Sequence, residues 1–579
     1  MADRLAADLG SPCRGEQFQM GRQNGGHGEA EYTPSRNSAA AAYNSILPVV
    51  IQMAFSPPMP DSNPLASITD YHQRTKHHLH RYATGPSNLD WDAQPDAFRH
   101  WLGTRHYFLP RTATRLDIPW PALAAQRPAA DFDAENLGSL LQLTSAITAW
   151  KEYGGHRWAL RAHPSSGNLH PTETWVIAYW VEGLADGLYH YQPREHTVEW
   201  RTNSLEAAEQ PGLWIGFSSI HWREAWKYGE RALRYCQLDQ GHVLAALAYA
   251  AALHGWRPRL VRLEHAELSR CLGLDRAEEF EGVEAEEAEV IVAMHAPEGG
   301  EAPMPPMDWD EWSGLPSRLD PQPQYHWPVI DAAARASRGA LPEMPPSTAS
   351  ESMAPPWHDA NPPSAVSVIL NRRSAQAFDG VSVMPVDILR RLLASLLPGG
   401  SPVWSLWSAT PRVHPIFFVH RVEGLAPGLY CLPRSEAGLT GLGTAMRQTF
   451  EWLPADPVLP LYRLAAAQAE RTAHRLSCHQ DIASQCALAC MLVAEFATPI
   501  AANPAAWRHL HWEAGMLGHC LTLEAEAAGW RGTGIGCFFD DADHEVLGLT
   551  DDRYQVIYHY AIGMPLEDQR ITTLPAYAA

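Results

Sequence analysis

The sequence predicts an α+β fold built as two like halves that pack against each other within one chain. Three observations predict it. The first is internal repetition. "VEGLADGLYHY" from Val181 returns as "VEGLAPGLYCL" from Val422, and "RYCQLDQGHVLAALAYAAALHGWR" from Arg234 returns as "RHLHWEAGMLGHCLTLEAEAAGWR" from Arg508. Gly241 and Gly255 are spaced as Gly515 and Gly529 are, and "CLGLD" at Cys271 and "VLGLT" at Val546 follow in the same order. Shared residues at equal spacing mark a duplication, with a period far too long for a solenoid. The second observation is the pattern within each half: apolar strand-like runs around one long Ala/Leu-rich helix, as suits helices covering a sheet. The third is a Pro-rich stretch, 297–363, that separates the halves.

Residues 1–60, rich in Gly, Ser, Asn and Ala, read as a loose tail, with "AAAAYNSILPVVIQM" as a short helix. The N-terminal domain spans 61–296. There "TWVIAYWV" (174–181) reads as a strand, and "GLADGLYHY" as turn glycines followed by a strand. "GHVLAALAYAAALHG" reads as a helix stopped at Gly255, and "AEVIVAMH" (288–295) as a late strand. From 297 to 363, "APEGGEAPMPPMDWDEW" and "LPEMPPSTASESMAPPWHDANPP" read as extended linker, because proline removes amide donors; a short helix, "VIDAAARASRGAL", interrupts it. The C-terminal domain, 364–579, repeats the scheme with strands at "IFFVHRV" (416–422) and "YQVIYHYAIG" (554–563). Fusing the subunits of a two-fold dimer yields this layout, and ligands often lodge at such an interface.

The bulk properties narrow the function. A chain of 579 residues, 46% hydrophobic, can bury a sizeable core and exceeds one ordinary domain. A formal charge of -21 disfavours wholesale binding to nucleic acid or anionic membrane. Nine cysteines, an odd number with no Cys-x-x-Cys, suit a reducing cytoplasm rather than a disulfide framework. Cys486 and Cys490, one turn apart on an expected helix, read as small core residues rather than metal ligands. His72, His77, His78 and His80 lack a zinc spacing, so no metal is expected. "MADRLAADLG" has charges where a signal peptide needs its apolar run, and no membrane-spanning helix is expected.

Three stretches carry candidate chemistry. In "RAHPSSGNLHP" (161–171), Pro164, Ser165, Ser166 and Asn168 crowd small hydrogen-bonding groups onto one turn. Such a turn serves either a ligand with many polar edges or a plain surface loop. In "NRRSAQAF" (371–378), Arg372 and Arg373 offer donor forks suited to phosphate, and Ser374 and Gln376 add a hydroxyl and an amide. In isolation the arginines read better as solvated charges at a helix end. In "RGTGIGCFFDD" (531–541), Gly532, Gly534 and Gly536 alternate, and the missing Cβ atoms let backbone amides approach a flat ligand. A bulged connector is the plain alternative, and a dinucleotide fingerprint is excluded by the spacing.

These stretches, with the duplicated frame, resemble the nitroreductase-like flavoprotein family, and within it the SagB-type dehydrogenases. The resemblance covers most of 70–296 and 365–575, and includes "YHQRTKHHLHRYATGPSNLDW", "EAWKYGERALRYCQLDQGH", "RRSAQAFDG" and "GTGIGCFFDDADHEVLGL". It implies two tandem nitroreductase-like sandwich domains and an FMN held at their interface. On this resemblance the C-terminal half supplies Arg372, Arg373, Ser374, Gln376, the backbone around Gly534, Ile535, Gly536 and Cys537, and the late Arg570. The N-terminal half supplies Pro164, Ser165, Ser166 and Asn168. The symmetry-related site looks damaged: "WSATPRVHP" stands opposite the Pro-Ser-Ser turn, "PRLVRLEHAE" opposite the glycines and "QRTKH" opposite "RRSAQ". One FMN per chain is therefore expected. Gln376 departs from the family pattern, where a basic residue is common.

The resemblance also marks Lys227 and Tyr228, in "WKYGE", as the pair associated with proton removal while hydride leaves to FMN; a snorkelling lysine beside a packed tyrosine is the structural alternative. Asp239 and Glu513, equivalent in the repeat, read as packing or capping groups at the interface rather than acid/base groups. The expected activity is dehydrogenation of a peptide or small-molecule substrate by an intrachain pseudo-dimer, with no nucleic-acid or membrane partner. The competing readings are an NAD(P)H-dependent nitro or quinone reductase and a flavin-binding scaffold without turnover.

Overall fold

Runs rich in Val, Ile, Tyr, Trp and Phe build two seven-stranded antiparallel sheets, one per half, in a computed structural model that describes residues 63–205, 210–294, 302–345, 357 and 361–577. The tail 1–60 and its expected helix lie outside the described residues. The first sheet runs, edge to edge, Arg105–Phe108, Thr197–Thr202, Gly187–Gln192, Thr172–Tyr179, Gly212–Ser219, Glu287–Ala293, Arg259–Leu260. The second runs Leu453–Pro454, Tyr462–Ala466, Gly428–Cys431, Val413–Val419, Leu488–Glu495, Tyr554–Gly563, Arg531–Ile535. Six of the seven positions, the last six as given, match in order and connectivity. The outer edge strand does not: it enters before the sheet in the first half and from a later hairpin in the second. The central strands are buried on both faces, which explains their unbroken apolar runs. Cys490 lies on one of them, Leu488–Glu495, and Cys486 just before it, so the helix expected there is a strand; its short apolar run fits either element by periodicity alone.

The two long helices of the repeat, α1 (Ala232–Leu253) and α2 (Ala506–Ala527), pack on each other at the centre of the molecule. Both are buried on nearly all sides, as sheet and partner helix cover them. They meet at Gly241 and Gly515. A Cβ on either would lie 2.9 Å from the other's Cα and closer still to a backbone carbonyl, that of Trp512 or of Leu238. The equal spacing seen in the sequence thus marks the close approach of two backbones, and Gly255 and Gly529 end the helices with φ of +67° and +74°. Gly515→Ala is expected to cost about 1–3 kcal/mol through overpacking, read as a lower urea midpoint at unchanged slope.

The halves share one continuous hydrophobic cluster. The chain ends also cross over: Thr572–Leu574, from the second half, adds a third strand to the Ile147–Tyr153 and His156–Arg161 hairpin of the first. The Pro-rich segment does more than bridge the halves. Leu315–Pro316 pairs with Trp101–Leu102, Trp214 Nε1 donates to Pro303 O at 2.9 Å, and Arg201 binds the carbonyls of Ser313 and Gly314. Prolines leave carbonyls without a matching amide partner, and side chains of the first half take them. The interrupting helix spans Pro328–Ala336. Among the described residues no helix is long and apolar enough to cross a membrane.

Candidate functional site

The Pro-Ser-Ser turn is braced from within and behind. Gly167 and Asn168 take left-handed φ values of 59° and 60°. Asn168 Nδ2 donates to Ala159 O at 2.9 Å, and Ser165 Oγ accepts the His170 amide at 2.9 Å. Ser166 donates its amide and hydroxyl to Asp239 of α1 at 3.0 and 2.8 Å. Arg223 holds the far end, donating to His170 O at 2.8 Å and pairing with Glu173. Burial pushes Glu173 up, but Arg223 and His190 outweigh it and hold the carboxyl at about 2. Its folded value lies below its unfolded one, so this stabilisation is complete above pH ~4.5 and fades as pH falls toward 2. An acid titration is expected to show that loss, and Glu173→Gln to flatten it.

Arg223 sits on the helix His221–Tyr228, so the same clamp places Tyr228 against the turn, with Lys227 beside it. A Cβ on Gly167 would collide with the Tyr228 hydroxyl, which accounts for glycine there. Lys227 Nζ lies 5.3 Å from the Trp91 ring centre and 5.2 Å from that of Tyr228. Burial lowers the Lys227 pKa, opposed by Glu224.

From the second half, Arg372 reaches across to the same turn. Its Nε donates to Ala162 O at 2.9 Å and its Nη2 to Arg161 O at 3.0 Å. It is 3% exposed, which rules out a solvated charge, and burial together with Arg373 depresses its pKa to about 10. Its Nη1 is buried without a hydrogen-bond partner among the described residues. Arg373 contacts Thr148 Oγ1 at 3.2 Å, while Ser374 and Gln376 are exposed beside it. Lys151 and Arg531 stand within electrostatic reach of Arg373, a cluster of cations that sequence reasoning missed and that Glu526 and Glu567, both paired with Arg531, partly neutralise. Arg531 adjoins the glycine run, which could have flagged it; nothing in the sequence marks Lys151. Arg570 lies farther out, paired with Asp568 at 2.7 Å and 5.6 Å from the Tyr153 ring.

The glycine run forms the edge strand Arg531–Ile535 and the connector after it, not a bulge. Its glycines also face aromatic side chains. Cβ atoms on Gly532, Gly534 and Gly536 would meet the rings or hydroxyls of Tyr560, Tyr558 and Tyr235 closer than 3.0 Å. The missing side chains thus make room for three tyrosines. Tyr235 OH donates to Gly536 O at 3.2 Å and its ring stands 4.7 Å from that of Tyr228. Gly534 is exposed, Ile535 buried and Cys537 half-buried, with Cys537 O accepting from Gln480 Nε2 at 3.2 Å. The structure therefore brings together the Pro164–Asn168 turn, Lys227–Tyr228, Arg372–Gln376 and the connector through direct contacts. Asp239 is tied to the turn rather than to the helix interface, and burial pushes its pKa to about 7 against the donors of Ser165 and Ser166. The clustered histidines disperse: His72 faces Gln555 at 3.3 Å and His77 Nδ1 accepts the Ala83 amide at 2.9 Å.

The symmetry-related region is filled. Glu513, the counterpart of Asp239, accepts the Arg412 amide at 3.1 Å and pairs with Arg434. The Arg434 guanidinium stacks 4.2 Å from the Trp404 ring centre and donates to Leu396 O at 2.6 Å. Arg508 donates to Ser337 Oγ at 2.9 Å, drawing the linker over the region, and what remains beside Trp512 is a cavity of about 30 Å³, room for a water.

No protein-family model matches the chain, and no curated protein matches it. Among solved structures it is similar to a chain from Anabaena variabilis ATCC 29413 that carries the name nitroreductase. That likeness has a TM-score of 0.61 and 23% identity, over 86% of this chain and 99% of the other. A nitroreductase-named chain of Ralstonia eutropha JMP134 aligns over 40% of this chain and 97% of its own, at 17% identity and a TM-score of 0.26. A chain of the E. coli microcin synthetase McbBCD complex, with truncated pro-MccB17 bound, aligns over 40% of this chain and 93% of its own, at 14% identity and a TM-score of 0.23. Likeness at this level shows the fold, and the fold is the nitroreductase one, carried twice in one chain as an intrachain pseudo-dimer.

Proposed function

We propose that the protein is an FMN-dependent oxidoreductase with one FMN per chain, acting as a SagB-type dehydrogenase on a peptide or small-molecule substrate in the cytoplasm. The observation that carries this reading is Arg372: a buried guanidinium crosses from one half to the carbonyls of Arg161 and Ala162, just before the other half's Pro-Ser-Ser turn, and its Nη1 has no hydrogen-bond partner among the described residues. A buried unpaired donor beside a basic patch is what a phosphate-bearing ligand would satisfy. The residues present fit FMN at that end: Arg372, Arg373 and Ser374 would hold the phosphate, with Lys151 and Arg531 adding charge. At the other end Tyr228, Tyr235, Tyr558 and the exposed Gly534 backbone offer an aromatic and amide wall. When bound, FMN would accept a hydride from the substrate. Lys227, its pKa lowered by burial, takes the proton that accompanies hydride loss. Tyr228 fixes that amine against the turn.

The absorbance spectrum of the purified full chain tests the reading. A flavin band, with no steady oxidation of reduced nicotinamide, is the expected result. Steady oxidation of the nicotinamide would point to a nitro or quinone reductase instead. Colourless protein that cannot be reconstituted would point to a scaffold.

A further inference from the structure

Behind the candidate site a buried histidine of the first half meets a buried tyrosine of the second. His242 lies on α1 and Tyr558 on the strand Tyr554–Gly563. The imidazole Nε2 is 3.1 Å from the Tyr558 hydroxyl, with the rings edge-on at 6.0 Å and 83°. Both side chains are buried. α2 makes way for the contact at Gly518, where a Cβ would stand 3.0 Å from His242 Cε1 and 3.1 Å from Tyr558 Cε1. The same hydroxyl abuts Gly534: a Cβ there would overlap it, and Gly534 is exposed. Among the described residues His242 Nε2 is the hydroxyl's one hydrogen-bond partner, and the buried His242 Nδ1 has none. Asp239, the carboxylate that acts on Tyr558 electrostatically, binds Ser166 instead.

We propose that His242 donates Nε2–H to the Tyr558 oxygen and so leaves the Tyr558 O–H free to donate, beside Gly534, to an acceptor atom of a bound isoalloxazine. This rests on the reading of the Gly534 backbone as one wall of a flavin site. A neutral imidazole carries one N–H, and the tyrosine adds one O–H. With a single contact between the two side chains, either tautomer leaves one donor over. If the imidazole proton sits on Nδ1, the tyrosine spends its O–H on Nε2, and the donor left over is a buried N–H that nothing can reach. Such orphaned N–H groups are rare because they cost a full desolvation penalty. If the proton sits on Nε2, Nδ1 keeps only a bare lone pair, and the donor left over is the hydroxyl at the exposed Gly534, where an occupant of the site can accept it. Burial, with Arg372 and His163 acting the same way, pushes the His242 pKa to about 3, so the ring stays neutral. Burial also raises the Tyr558 pKa, so the phenol keeps its proton. Tyr558 is thus the group that meets the ligand. His242 is a positioning residue, since it acts through Tyr558.

The test pairs Raman spectroscopy of the full chain with FMN titration read by quenching of flavin fluorescence. The imidazole ring-stretching band separates the two neutral tautomers, and subtracting the spectrum of His242→Leu isolates the His242 contribution. The FMN-free wild type is expected to show the Nε2–H form. Tyr558→Phe, which removes one oxygen atom, should bind FMN about tenfold more weakly with an unchanged circular-dichroism spectrum, the effect of one lost hydrogen bond. His242→Gln can still donate an amide proton and should bind FMN as the wild type does, while His242→Leu should lose about threefold. An Nδ1–H tautomer, equal losses in the two His242 variants, or equal FMN affinity in the wild type and Tyr558→Phe would overturn this inference and leave the flavin reading standing. A wild-type chain that takes up no FMN would overturn the flavin reading, and this inference with it.

Discussion

Replacing Asp540 by alanine is expected to destabilise the protein by about 3–5 kcal/mol, the range for breaking a buried ion pair. Asp540 is fully buried. Its Oδ2 accepts from Arg231 at 3.0 Å and from the His77 amide at 2.9 Å, and its Oδ1 accepts from Arg234 at 3.0 Å. Both arginines belong to the first half and Asp540 to the second, so the three charges tie the halves together. Without the carboxylate two guanidinium groups stay buried side by side with nothing to neutralise them. Arg231 also donates to Gly536 O at 3.2 Å, so its displacement loosens the connector of the candidate site. Asp540→Asn keeps the shape but leaves the two positive charges, and should be nearly as damaging. Urea unfolding measures both. Burial pushes Asp540 up, yet the two arginines hold it below the usual carboxylate range. Its contribution is complete above pH ~3.8 and is lost as pH falls.

On the proposed dehydrogenase reading, Lys227→Ala is expected to slow reduction of bound FMN by substrate about 10²–10⁴-fold, with FMN content unchanged. The amine lies against the Trp91 and Tyr228 rings, where burial favours its neutral form. Lys227→Arg keeps the packing and the cation–π contact but supplies a group that cannot be deprotonated. It should therefore be as slow as the alanine variant. Equal loss in both assigns Lys227 to proton transfer; near-normal rates in the arginine variant would assign it to packing. Single-turnover absorbance at the flavin band separates these results from any change in substrate release.

The duplication was legible because helix-packing glycines cannot drift: Gly241 and Gly515 are fixed by the backbone they touch. The strand at 554–563 was legible from its β-branched and aromatic run. The packing of the glycines at 532, 534 and 536 against tyrosines was not. Nothing in the sequence shows that Tyr558 and Tyr560, on the paired strand, and Tyr235, on the facing helix, take the space. Nor does a sequence distinguish a solvated arginine from one that, like Arg372, is buried against the other half's carbonyls. Nothing in the sequence singles out Glu224, whose buried carboxyl oxygens have no hydrogen-bond partner among the described residues. The outer edge strands differ because the duplicated halves diverged where packing constrains them least. The closing of the second region was readable as lost motif residues, but not as the Arg434 and linker groups that replaced them.

Titration of the full chain with FMN, followed by quenching of flavin fluorescence, tests most directly whether two halves close around a single asymmetric site. The account predicts saturation at about one FMN per chain, and loss of that binding in Arg372→Ala with the fold retained by circular dichroism. Saturation at two per chain, or unchanged affinity in the Arg372 variant, would contradict it.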